Sequence, residues 1–143
     1  MKTLRTISLI ALAALLFIAV GCEKEEYAEP PVYGKIYCNK EHPVKGDTVK
    51  LYVKIDKQGN RINSAEYRWK IRNDAGTSEF SQRVFRNSGQ KSLTAQPTLT
   101  WVVKDWGDNY ITLTATFSYT MGDVNSVMKG SAYVSGTIKT YSK

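Results

Sequence analysis

Period-two alternation of apolar and polar side chains runs through most of this sequence, and few folds are compatible with it. Val49, Leu51, Val53 and Ile55 alternate with Thr48, Lys50, Tyr52 and Lys54. Ala65, Tyr67, Trp69 and Ile71 alternate with Glu66, Arg68, Lys70 and Arg72. Leu99, Trp101 and Val103 alternate with Thr98 and Thr100, and Val102 breaks the polar phase. Ile111, Leu113, Ala115 and Phe117 alternate with Thr112, Thr114, Thr116 and Ser118. Successive side chains of a strand point to opposite faces, so each stretch reads as a strand with one face in a core and one in water. β-Branched and aromatic residues dominate these stretches, as a pleated, half-buried surface favours.

Turn signals separate the stretches: Gln58-Gly59-Asn60, Asn73-Asp74-Ala75-Gly76, Gly107-Asp108-Asn109 and Gly122-Asp123. The pattern predicts about seven strands, near residues 33–38, 48–55, 65–72, 79–86, 98–103, 110–119 and 130–140. No internal repeat, low-complexity tract or amphipathic helix interrupts them. The expected fold class is all-β, a single two-sheet Greek-key sandwich over residues 32–143.

The first 31 residues follow a different logic. Lys2 and Arg5 precede an apolar run from Leu9 to Val20, which Gly21 and Cys22 end. The run falls short of the about 20 apolar residues of a membrane-spanning helix, and its charge order is that of an export signal. Residues 1–21 therefore read as a signal peptide. Ala19-Val20-Gly21-Cys22 resembles the lipobox of bacterial lipoproteins, with Ala19 where that pattern usually has Leu. The resemblance implies that the Cys22 thiol takes a diacylglyceryl group, that cleavage follows, and that the new amine is acylated. Buried acyl chains at about 0.8 kcal/mol per methylene make a durable anchor. The same residues also read as an ordinary small-residue cleavage site, which leaves Cys22 a free thiol able to pair with Cys38.

Residues 22–31 carry Glu23, Lys24, Glu25, Glu26, Glu29, Pro30 and Pro31. Such a composition buries no core and predicts an extended, flexible tether. Cys22-Glu23-Lys24-Glu25-Glu26 resembles the surface-export signal of lipoproteins in the Bacteroidota, a short acidic cluster after the lipidated cysteine. The resemblance implies an outer-membrane lipoprotein whose domain stands at the cell surface. As a plain solubilising tether, the same run leaves the domain on the periplasmic face.

A second resemblance concerns the domain. Trp69, within Tyr67-Arg68-Trp69-Lys70-Ile71, is similar to the strand-C tryptophan of immunoglobulin-like and PKD-like domains. Gly107 through Phe117 resembles the sixth strand of PKD-like modules in bacterial surface proteins. Three features depart from that pattern, one being that no pair of cysteines joins the sheets. The loop after Trp69 reads Asn73-Asp74-Ala75-Gly76 instead of Phe-Gly-Asp-Gly, and Tyr110 is one residue out of phase with the family tyrosine. The resemblance implies a fold, and a fold alone does not imply a function.

Composition limits the chemistry. Two cysteines build neither a disulfide framework nor a four-thiolate zinc site, and a single histidine builds no histidine-rich metal centre. Cys38 shares the phase of Ile36 and is expected in the core as a small hydrophobe. His42, beside Glu41, reads as a solvated loop residue, since catalytic zinc needs about three protein ligands. Asp74, Asp105, Asp108 and Asp123 fall in predicted turns, where aspartates cap backbone amides. Asp105 and Asp108 together with carbonyls form a weak calcium candidate, without the dense spacing of a calcium loop. No phosphate-cradling glycine loop or nucleophile elbow is present. No catalytic residue and no cofactor are expected.

Charge is the remaining signal. Of 20 basic and 13 acidic residues, Lys2, Arg5 and Lys24 precede the domain, as do four glutamates. Residues 32–143 therefore hold 17 basic and 9 acidic residues, net +8. In the expected sandwich, Arg68, Lys70 and Arg72 face outward beside Thr112, Thr114 and Thr116, and Lys50, Tyr52 and Lys54 face outward on the other sheet. Such a basic face with hydroxyl neighbours suits an anionic glycan or the phosphates of lipopolysaccharide, and equally suits a plain solvated surface. Trp106 either caps the end of the sandwich or stacks on a sugar, and Tyr119, Tyr133 and Tyr141 are candidates for a surface aromatic platform. The expected function is that of a small, non-catalytic binding or structural module of the cell envelope. It contacts the membrane through its anchor and a glycan, a polyanion or a protein as partner. The alternative is an accessory subunit of an outer-membrane complex for nutrient capture or secretion. Nucleic acid is not an expected partner of an exported, tethered domain without a binding motif.

Overall fold

The computed structural model describes residues 28–143, apart from residues 95, 122 and 123 and the side chains of residues 120–127. The residues expected to carry lipidation and export, Cys22, Glu23, Lys24, Glu25 and Glu26, lie outside the described residues, as does Asp123. Seven strands form: β1 (Val32–Cys38), β2 (Thr48–Lys57), β3 (Ile62–Asn73), β4 (Gly76–Phe85), β5 (Thr98–Val102), β6 (Gly107–Met121) and β7 (Val124–Thr140). No helix occurs among the described residues. The strands make two antiparallel sheets, ordered β1-β2-β5 and β4-β3-β6-β7. The connections β2 to β3, β4 to β5 and β5 to β6 pass between the sheets, giving the all-β sandwich that the alternation predicts.

Alternation decides which side chains meet. Val49, Leu51 and Val53 of β2 face Tyr67, Trp69, Ile111, Leu113 and Phe117 of the other sheet in one core, each at most 2% exposed. Trp101 and Val103 complete it from and beyond β5. Each such side chain, fully buried, contributes about 1.5–3 kcal/mol, several times a surface ion pair at about 0–1 kcal/mol. The core therefore sets the fold, and the charged outer face is free to vary. Cys38 is half-buried against the core and has no disulfide partner among the described residues.

The strands differ from the expected spans at their ends. β4 begins three residues earlier than expected because Asp74-Ala75 suffice as the turn, with Asn73 paired to Gly76. β7 begins six residues earlier because its pairing with β6 runs out to Met121 and Val124. That part of β7 carries no period-two signal in the sequence. Asp108 lies in β6 opposite Lys139 and not in a turn.

Residues 28–31, expected as the end of the tether, are held against the domain. Glu29 and Asn60 exchange backbone hydrogen bonds, N–H to carbonyl, at 3.2 and 2.9 Å. Lys57 Nζ lies 2.7 Å from a Glu29 carboxylate oxygen, Ala28 packs on the core and Pro31 is buried. Gly59 makes this possible. Its φ is +78°, and a Cβ there would sit 2.7 Å from the Glu29 carbonyl oxygen. The last four residues of the expected tether, 28–31, are thus docked. Prolines that read as linker also suit a fixed extended segment.

A buried polar cluster closes one end of the sandwich. Asn109, fully buried, donates from Nδ2 to the carbonyls of Gly107 and Ile138 and to Thr140 Oγ1, at 3.1–3.3 Å. Its Oδ1 accepts from Asn73 Nδ2 at 2.9 Å, and Thr140 Oγ1 donates to the Asp105 carbonyl at 2.8 Å. Every polar atom of the Asn109 side chain is therefore matched, as a buried amide requires.

Candidate functional site

The outer face of β4-β3-β6-β7 gathers the sequence-predicted cations. Arg68, Lys70 and Arg72 all point outward from β3 and are exposed. Across the sheet Arg68 stands opposite Thr114, Lys70 opposite Thr112 and Arg72 opposite Tyr110. Thr116 stands opposite Glu66, so the expected row of three threonines beside three cations holds at two positions. On the β4 side Arg68 stands opposite Ser81 and Lys70 opposite Glu79. Glu66, Arg68, Lys70, Glu79, Ser81, Thr112 and Thr114 line an open depression of about 560 Å³, and Arg72 lies outside it.

Carboxylates already attend two of the three cations. Arg68 donates from Nε and Nη2 to Glu66 Oε1, each at 3.2 Å, and Lys70 Nζ lies 3.5 Å from Glu79. Glu66 also accepts from Ser81 Oγ at 3.3 Å and lies 3.8 Å from Arg83. The hydrogen bonds from Arg68, then its charge and that of Arg83, hold the Glu66 carboxyl below its ordinary value. Glu66 is kept charged, as a partner for cations; a general acid needs the opposite shift. Arg72 has an aromatic partner, its guanidinium carbon 5.6 Å from the Tyr110 ring centroid. Surface pairs of this kind are weak, each worth about 0–1 kcal/mol.

Glu66, Glu79 and Ser81 as partners were missed by sequence reasoning. The signal was present. Counting back from the two-residue turn fixes the β3–β4 register, which sets Glu66 against Arg83, Arg68 against Ser81 and Lys70 against Glu79.

Trp106 is 66% exposed in the bend before β6, so it does not cap the core. Its backbone N–H donates to Asp105 Oδ1 at 2.9 Å. The depression around Arg68 and Lys70 does not reach it. Tyr119 is not a surface aromatic: it shares the phase of Phe117, is 5% exposed and packs over Gly130. Tyr110 and Tyr133, 50% and 63% exposed, lie on the face with the cations, as does Phe85 at 66%, and Tyr133 stands opposite Thr114. Tyr141 lies instead at the end of β7, where His42 meets it edge-on at 5.2 Å.

On the three-stranded sheet Lys50 and Lys54 are exposed, and Tyr52 stacks on Tyr37 at 5.5 Å. No group of three or more His, Cys, Asp or Glu side chains able to hold a metal occurs among the described residues. No protein-family model, curated protein or solved structure matches the chain.

Proposed function

We propose that this chain is a non-catalytic, lipid-anchored protein of the outer membrane whose sandwich binds an anionic glycan on the outer face of β3. The carrying observation is the exposed row Arg68, Lys70 and Arg72, of which Arg68 and Lys70 line an open depression with Ser81, Thr112 and Thr114. Guanidinium groups recognise carboxylate and phosphate in a two-pronged geometry, the threonine and serine hydroxyls suit sugar hydroxyls, and Tyr110 and Tyr133 offer ring faces. An open face fits a chain-like ligand better than a small molecule, which an enclosed cleft would bury. The membrane anchor in this reading is Cys22, and the acidic run Glu23, Lys24, Glu25 and Glu26 directs the domain to the cell surface.

Retention of the full chain on immobilised polygalacturonate, lipopolysaccharide and neutral dextran tests the binding. Retention on an anionic matrix, lost in the triple variant Arg68→Ala, Lys70→Ala, Arg72→Ala and absent on dextran, is expected. Equal behaviour of the two proteins on every matrix would remove the reading. Cys22→Ala is expected to move the protein from membrane to soluble fractions; unchanged membrane association contradicts the anchor.

A second reading, an accessory subunit of an outer-membrane complex, draws on exposed Trp106 and Val102 at 66% and 50%. Large apolar side chains beside one sandwich end suit a protein contact. In that case Trp106→Ala, and not the triple variant, releases a crosslinked partner.

A further inference from the structure

The edges of the two sheets are not equivalent. β1 has register shifts in its pairing with β2 and lies against β7, and β5 is five residues long and follows Pro97. Such interruptions protect an edge from pairing with another chain. β4 has none of them. It runs ten residues in unbroken register with β3, contains no proline or lysine, and has no strand on its other side among the described residues.

The free edge has a centre. Gly76 pairs with Asn73 across the turn, and Arg86 N–H donates to the Asn63 carbonyl at 2.7 Å. Even-numbered residues of β4 therefore bond to β3. The backbone groups of Thr77, Glu79, Ser81, Arg83 and Phe85 point away from it. That set is symmetric about Ser81, and so are its charges, with Glu79 two residues before and Arg83 two residues after.

We propose that β4 pairs antiparallel with β4 of a second copy of this chain, with Ser81 on the twofold axis. In this register Glu79 of each copy faces Arg83 of the other. Glu79 already pairs with Lys70, and Arg83 with Glu66. The joint therefore carries two rows, Lys70–Glu79–Arg83–Glu66, that alternate in sign from one copy into the next. A slip of two residues loses both new pairs, and a slip of four sets Glu79 against Glu79 or Arg83 against Arg83. Charge thus selects the register as well as the partner. The two β3 rows of cations come to lie on one continuous sheet.

The test uses the full chain carrying Cys22→Ala and Cys38→Ala, which leaves no other thiol. A hydrogen-bonded antiparallel pair separates its Cα atoms by about 5.5 Å, within disulfide reach. Under mild oxidation Ser81→Cys is expected to form a covalent dimer, and Val102→Cys, exposed on β5, is expected to stay monomeric. By sedimentation, Arg83→Glu should weaken the unlinked dimer about tenfold, and the swap Glu79→Arg, Arg83→Glu should restore it. Linkage of Ser81→Cys no greater than the control, or equal dimerisation of Arg83→Glu and the parent, overturns the proposal. A monomer whose β4 amides resist hydrogen exchange also overturns it, and places another segment of the same chain on the edge.

Discussion

Tyr33 and Tyr119 show how the same side chain has different consequences at two positions. The Tyr33 hydroxyl donates to Tyr67, and burial first, then Tyr67, pushes its ionisation far above the ordinary tyrosine range. The Tyr119 hydroxyl is buried with no hydrogen-bond partner among the described residues. Removing a matched hydroxyl leaves its partner short, at about 1 kcal/mol, whereas removing an unmatched one does not. Tyr33→Phe is therefore expected to destabilise by about 1 kcal/mol and Tyr119→Phe by less than about 0.5 kcal/mol. Urea unfolding of the two variants separates the cases, and an equal loss in both contradicts the hydrogen-bond assignment. Gly59 is constrained twice, by its positive φ and by the Glu29 backbone against it. Gly59→Ala should cost about 1–3 kcal/mol and expose residues 28–31 to protease. A thermal shift within error of the parent would contradict the docking of that segment. Alternation revealed Tyr67 and Trp69 as core residues, but not the Gly59 contact, which depends on a chain crossing that no local pattern encodes.

At the scale of elements, all seven strands were legible, and their burial phase was sharpest where one face is fully buried. β3 and β6 sit in the middle of their sheet, and the phase of Ala65–Ile71 and Ile111–Phe117 matches their burial residue for residue. β4 is exposed along most of its length, so burial writes little into its sequence; its pattern comes from pairing with β3. The acidic partners of the cation row come from that pairing. Glu66, held below its ordinary pKa by Arg68, stabilises the fold only while charged. Its contribution is present above the unfolded value of about 4.5 and is lost as pH falls through its lower folded value. The urea midpoint of Glu66→Gln should therefore fall below that of the parent at about pH 7 and meet it at about pH 2. A difference that persists in acid would show that Glu66 acts by packing and not by charge.

For the whole molecule, net charge was a poor guide until it was divided among segments and then among faces. Residues 32–143 carry +8, yet on the outer face of β3 and β4 the cations alternate with Glu66 and Glu79. The face is a lattice of weak pairs, which suits displacement by a ligand with its own regularly spaced anions. The sandwich itself was readable because a run of short strands, most of them amphipathic, admits few other solutions. The role of the outer face was not, because an exposed sheet face has no packing rule to restrict its side chains. Backbone amide shifts of the full chain, followed by nuclear magnetic resonance as polygalacturonate is added, test the account most directly. Changes concentrated at residues 68–72, 79–81 and 112–114 are the predicted result. Changes confined to the β1-β2-β5 sheet, or no change under low salt, would contradict it.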